Sequence, residues 1–449
     1  MKKYLIIAVV AALAACSDNN TTDSTNDGET SGENAETENT GASDALTFYK
    51  DVQPILNTYC TRCHQESGQG VGDFTKPDDV LVLSSMIMTQ LDAGTMPPPS
   101  SDPECRDYVG SDRLVMAPGT KETIRDWIAE GKVVGTAPTQ AVEPPLPMQL
   151  ANPDLQLKMV APYVPLFEDA SNPGNEYRCF ALDHEQENDF FITAFHPILG
   201  NPDIIHHIVL YRLPESDLPD HDPALGWNCI DDMGGQGEGM IAAWAPGALP
   251  VEFDGTKGIK VGKNERLVVQ MHYFHNGSSS TTISDDSGYA LKIADTVETE
   301  LRMWPFGDRG FMIPAGDEDY SHDYEFEIPS ILGQIDPDAT LTVYATGPHM
   351  HILGKSYQLW VERAGEEDIC VAQSETWDFD NQVSYVFNEP LVLYPGDKVR
   401  LRCHWNNSES NPGLIHNPPI DVGYGERTDE EMCFAFTLLS LDSSVPINF

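Results

Sequence analysis

Basic residues are scarce. The 449-residue chain has 26 Lys and Arg against 71 Asp and Glu, a formal net charge of −45. A nucleic-acid-binding face needs clustered Lys and Arg, so this balance argues against such a partner. Long apolar runs are also missing. The longest begins at Tyr4 and ends at Ala15, short of the roughly 20 residues that span a bilayer. Extended helical periodicity is rare after residue 150. Order is not lacking, because 40% hydrophobic content is enough for ordinary cores. The length suggests roughly three domains.

The N-terminus carries an address. Lys2 and Lys3 precede the apolar run, as in a secretory signal (residues 1–15). It closes on Leu13-Ala14-Ala15-Cys16, which resembles a bacterial lipobox and implies lipidation of Cys16. The expected location is the bacterial cell envelope, anchored by lipid only, with Ser17 compatible with the outer membrane, facing the periplasm or the cell surface. Residues 16–45 read as an acidic, disordered tether: positions 17–45 hold eight Asp or Glu and no Lys or Arg. In an oxidising compartment the remaining cysteines can pair.

Cys60-Thr61-Arg62-Cys63-His64 is a CxxCH motif, the pattern for covalent attachment of one heme c. Two thiols at this spacing add to two porphyrin vinyl groups, and the next residue brings an imidazole to the iron. Phe48, Val52, Ile55 and Leu56 share one helical face leading into the motif. Thr120 is expected to cap a later helix with Ile124, Trp127 and Ile128 on one face and Gly131 at its end. Residues 46–136 thus resemble a small all-α cytochrome c domain. The resemblance implies His64 as proximal ligand and Met96, in Met96-Pro97-Pro98-Pro99, as the sixth, with Met116 as rival; Met86 and Met88 are expected in the core. Residues 137–150 read as a Pro-rich linker.

The rest is punctuated by Gly, Pro, Asn and Asp and reads as short strands, among them 190–195, 267–273 and 341–344. Regular strand spacing over such a length predicts two all-β sandwiches, 151–298 and 299–449. Histidines lie in these runs: His206 and His207, then His272, then His349 and His351 flanking Met350. On a strand, His349 and His351 would share a face. Adjacent His206 and His207 would point to opposite faces, so joint ligation needs a bulge or the use of Nδ1. Such imidazole sets suit copper, zinc or iron. His196, His221, His275, His322, His404 and His416 read as surface, loop or hydrogen-bonded residues, and Gln270 as either a ligand support or strand packing.

The order His-His, Gln-x-His-Tyr, His-x-His-x-Leu-Gly and Asp429-Glu430-Glu431-Met432-Cys433 resembles the copper type II, ascorbate-dependent monooxygenases. Ala243-Trp244-Ala245-Pro246 and Pro395-Gly396-Asp397 extend the likeness. It implies two jelly-roll domains facing each other across a solvent cleft, with two copper ions. One would be held by His206, His207 and His272 for electron storage. The other would be held by His349, His351 and Met432, where O₂ is met and the substrate C–H bond hydroxylated. It also implies a Cys403–Cys433 disulfide; the partners of Cys105, Cys179, Cys229 and Cys370 stay open. The heme would replace ascorbate as the immediate reductant and be fed by an upstream electron donor. In the peptide-amidating member an Arg two residues before the His-x-His motif helps bind substrate; that position is Gly347 here. The polar partners beyond the Met correspond to Phe434 and Phe436, which points to a small uncharged or apolar substrate. The alternatives are a heme and copper electron-transfer or copper-binding lipoprotein without hydroxylase activity, and an oxidase without substrate hydroxylation.

Overall fold

The computed structural model describes residues 45–445 except 67, 69, 140–148, 168–173, 230–238 and 275–283. The signal, Cys16, almost all of the tether, His275 and most of the linker lie outside them.

The chain opens with helical turns. Phe48–Val52 and Gln53–Tyr59 run into the CxxCH motif and bury Phe48, Val52 and Leu56 completely. Pro77–Ala93 starts at a proline, which fits a first turn whose N–H groups need no partner, and carries Asp78 and Asp79 there. It stops at Gly94, whose φ of 71° a Cβ would disfavour. Thr120–Ala129 closes the segment. Its cap is Gly119, not Thr120, which is already the first helical residue and makes no capping bond. These helices share a core of Phe48, Val52, Leu56, Val80, Ile124 and Trp127. Met88 packs against it, but Met86 points outward and is 56% exposed, contrary to expectation. The helix turns Ser84 and Ile87 inward instead.

Two β sandwiches follow. In the first, Leu155–Lys158, Gly288–Ala294, Phe190–Ile198 and Lys257–Val261 form one sheet. It faces a five-stranded sheet ordered Trp227–Asn228, Asn175–Leu182, Glu265–Phe274, Ile205–Pro214, Met240–Trp244. Side chains such as Phe190, Ile192 and Leu291 meet Ile208, Leu210, Val269 and Met271 between the layers. In the second sandwich, Thr299–Asp308, Cys433–Asp442, Thr340–His349 and Tyr385–Leu393 pack on Tyr320–Glu327, Lys398–Trp405, Gly354–Glu362 and Ile369–Ser374.

The sandwiches share a sheet. Thr299, Glu300 and Leu301 pair in parallel with Lys257, Gly258 and Ile259, so one nine-stranded sheet runs through both. Three disulfides join Cys105 to Cys370, Cys179 to Cys229 and Cys403 to Cys433. Cys60 and Cys63 take part in none of these disulfides. Among the described residues no helix is long and apolar enough to cross a membrane.

Candidate metal centres

The strands Ile205–Pro214 and Glu265–Phe274 are neighbours, and His207 lies opposite His272. A register shift between Ile205 and His207 makes His206 the bulged residue. The bulge turns two consecutive imidazoles toward one point. The Nδ1 atoms of His206 and His207 are 3.0 Å apart, and those of His207 and His272 are 3.4 Å apart. Such close, like-natured nitrogens suit a shared cation. Bulging and Nδ1 presentation therefore occur together. The far nitrogens are held too: His206 Nε2 meets Asp380 Oδ1 at 2.8 Å and His272 Nε2 meets Asn175 Oδ1 at 2.8 Å. Such partners fix ring orientation and tautomer. Tyr177 stacks on His272 with ring centroids 4.1 Å apart. Burial, together with the neighbouring imidazoles, drives His207 and His272 well below the usual histidine range. Both rings are thus neutral, the form that binds metal.

The second set belongs to the other sandwich. His349 ends the strand Thr340–His349, and His351 lies beyond it. They are therefore not two positions on one strand face; the chain turns between them, and the ring planes stand at 84° with centroids 5.1 Å apart. Nδ1 of His349 bonds Gln382 Oε1, and Nδ1 of His351 bonds the Glu430 carbonyl at 3.0 Å. This leaves Nε2 as the ligating atom on each ring, the reverse of the first set. Burial and His351 push His349 down to about 3, and burial takes His351 to about 4. Met432 lines the same cavity as both rings. Its neighbour Cys433 is bonded to Cys403, which ties the strand that begins just after the methionine to Lys398–Trp405.

Glu431 carries a role that sequence reading missed. It is wholly buried. One oxygen accepts from the backbone N–H of His351 at 2.8 Å, Trp405 Nε1 at 2.9 Å and the N–H of Met432 at 3.3 Å. The other accepts from the N–H of Leu353 at 2.7 Å. Burial pushes its carboxyl up to about 7 while these donors pull the other way. It binds the backbone of two ligand residues together.

The two sets open onto one cavity of about 150 Å³, with His207, His349, His351 and Met432 in its wall. The expected open cleft is crossed on one side by residues 377–382. Phe379 lies 4.7 Å from the His206 ring and 6.0 Å from that of His351. Six more aromatic rings line it: Tyr177, Tyr211, Trp244, Tyr424, Phe434 and Phe436. Gln270 also lines the cavity and donates to the Cys229 carbonyl at 3.3 Å.

In the helical segment, His64 Nδ1 lies 2.8 Å from the Val71 carbonyl, and the ring stacks on Phe74 at 4.2 Å. The Nδ1 contact leaves Nε2 as the nitrogen free to ligate. Met116 packs against the helical core, whereas Met96 is 40% exposed. The missed histidine, His184, is buried and bonds the Glu265 carbonyl, a structural role.

Two β sandwiches thus meet at one cavity lined by His207 of the first and His349 and His351 of the second, and His206, His207 and His272 form a cluster able to hold a metal ion. A family model for the N-terminal domain of copper type II ascorbate-dependent monooxygenases matches residues 168–280, and one for the C-terminal domain matches residues 309–440. Together they take in more than half of the chain, which belongs to that family. It is similar to the DBH-like monooxygenase protein 1 of Mus musculus, 25% identical over 332 residues, 67% of this chain and 52% of that protein. It is also similar to a tyramine beta-hydroxylase of Caenorhabditis briggsae, 25% identical over 345 residues, 69% of this chain and 53% of that protein. The chain spans about half the length of the curated relatives it matches. A Paenibacillus xanthan lyase structure superposes with a TM-score of 0.15 at 12% identity, over 69% of this chain and 28% of that chain, too poorly to inform the fold.

Proposed function

We propose that this chain is an exported monooxygenase that hydroxylates a C–H bond of a small substrate with O₂, its electrons arriving through a c-type heme in residues 46–136. The observation that carries the reading is the shared cavity: two imidazole sets with opposite ring nitrogens presented and a thioether beside one of them. Three imidazoles serve either copper oxidation state, whereas two imidazoles with a soft sulfur favour Cu(I). Bound copper supplies O₂ activation at the His349, His351 and Met432 set and electron storage at the His206, His207 and His272 set. The protein's part is to hold the rings of His207, His272, His349 and His351 neutral, fix ring rotation through Asp380, Asn175, Gln382 and Glu430, and line the reaction with aromatic side chains. Gly347 and the rings of Phe434 and Phe436 favour an apolar or uncharged substrate; Arg309 and Glu426 are the charged residues in the lining.

The helical segment suits a porphyrin. Cys60 and Cys63 are the only described cysteines outside disulfides. His64 is turned to offer Nε2. Buried donors Arg62 Nη2 and Gln65 Nε2 have no partner among the described residues, and a porphyrin's carboxylates would satisfy them. Three disulfides and the lipobox-like Cys16 support export and a lipid anchor. The test is metal and heme content of the purified chain, followed by reductant-driven incorporation of labelled O₂. Two coppers per heme, with hydroxylation lost in Met432→Ile and His351→Ala, are expected. No tight copper, or turnover indifferent to both changes, overturns the reading.

A further inference from the structure

The CxxCH segment is built into the β sandwiches rather than hung beside them. Residues 99–109 run along the second sandwich. Asn381 Nδ2 donates to the Pro99 carbonyl at 2.9 Å, and the N–H of Ser101 donates to the Tyr385 hydroxyl at 2.9 Å. The N–H of Asp102 donates to the Gln373 carbonyl at 2.9 Å, and that of Val109 to the Val386 carbonyl at 2.8 Å. Cys105 is bonded to Cys370. Tyr108 is 1% exposed and belongs to the second sandwich's core. The first sandwich is touched as well: Arg62, between the two thiols of the motif, donates Nη1 to the Gly247 carbonyl at 2.8 Å. A flexible carrier would need only a linker and high effective concentration; here a covalent bond and a buried tyrosine set one orientation.

The seat leads to the first metal set. Asn381, bonded to Pro99, is followed backwards along the chain by Asp380, whose carboxylate meets His206 Nε2 at 2.8 Å. Pro99 is three residues beyond Met96. The path from the Met96 loop to an imidazole of the first set is therefore short backbone and two hydrogen bonds, with no gap. Asp380 itself is 79% exposed, so its contact adds little stability. Its consequence is ring orientation and electron density at His206. The same few residues reach the other set, through Phe379 beside His351 and Gln382 on His349.

We propose that Asp380 and Asn381 are positioning residues that couple a fixed cytochrome seat to the His206, His207 and His272 centre and so set the rate of electron entry. The inference rests on the heme and copper reading above. The step is one electron: ferrous heme becomes ferric, one Cu(II) becomes Cu(I), and no bond is made or broken. An external one-electron donor, such as ascorbate, restores the ferrous heme.

The test uses the full chain loaded with heme and copper, without O₂. A light flash injects one electron into the heme, and its reoxidation by Cu(II) is followed by heme absorbance. Asp380→Asn and Asn381→Leu, each saturated with copper, should slow that transfer about 10–100-fold, with the heme spectrum unchanged and, for Asp380→Asn, Tm unchanged as well. Asp380→Asn should also shift the Cu(II) hyperfine coupling of the first centre. Opening the staple in Cys105→Ser with Cys370→Ser should make the transfer multiphasic. In the metal-free chain the same change should remove hydrogen-exchange protection from residues 101–109. Transfer indifferent to Asp380→Asn and Asn381→Leu, or free exchange of residues 101–109 in the unaltered chain, overturns the inference alone. A chain that takes up no heme or no copper overturns the functional reading with it.

Discussion

Replacing Glu431 with Gln tests whether one buried carboxylate organises the thioether centre. Its two oxygens accept four N–H groups, three on one side and one on the other. Gln keeps the shape but has one accepting oxygen. Its better orientation turns that oxygen toward His351, Met432 and Trp405. The amide NH₂ then faces the N–H of Leu353, donor against donor. One buried donor loses its partner, a cost of about 1–3 kcal/mol. At about 2–4 °C per kcal/mol for a body of this size, Tm falls by about 2–12 °C in a thermal melt of the metal-free chain. The Leu353 N–H is two residues from His351, so the site loosens where it ligates. Copper at the His349, His351 and Met432 set should weaken about 10–100-fold, while the His206 set is unaffected. A Cu(I) competition titration with a coloured chelator resolves the two. Equal weakening of both sets, or a lower Tm with both affinities intact, would refute the role assigned to Glu431.

Asn175→Ala removes the acceptor on His272 Nε2; it should weaken the first centre about 10–100-fold and leave the second alone, read by the same titration. Cys403→Ser with Cys433→Ser should lower stability by about 2–5 kcal/mol in denaturant melts and cost affinity at Met432's centre only. Gly70→Ala would place a Cβ 2.5 Å from the His64 ring; the chain should keep its fold by circular dichroism but lose its heme Soret band. Asp336 accepts from Asp338, Ser443 and Ser444, which hold its carboxyl down to about 2. A lowered carboxylate stabilises above its unfolded value of 3.8 and loses that contribution as pH falls toward 2. Asp336→Asn should therefore flatten the acid limb of the stability profile between those values.

The first imidazole set was legible because residue order marks its histidines and two adjacent ligands required a bulge or ligation through Nδ1; the second was legible from order alone, since the strand face expected for His349 and His351 ends at His349. The two-sandwich architecture was legible from strand spacing. What escaped depends on distance in sequence or on burial. Glu431 sits in Asp429-Glu430-Glu431, where three similar carboxylates look alike until one is sealed from solvent. Asp380 acts on a histidine 174 positions away, and no local pattern signals such a contact. Cysteine spacing alone does not give connectivity, so Cys105 found its partner only in three dimensions. Thr120 and Met86 failed for a smaller reason, a boundary displaced by one residue and a helix face rotated away from the core.

The Cys105–Cys370 bond spans 265 positions, and the whole first sandwich lies inside the ring it closes. A protease that nicks any exposed loop within that ring leaves both fragments in one molecule. Damage of this kind would be invisible on a non-reducing gel and would separate the pieces only after reduction. The ring also imposes an order on biosynthesis. The helical segment is synthesised first, yet it cannot be locked in place until the second sandwich has followed it, so its thiols must pass that interval without pairing wrongly.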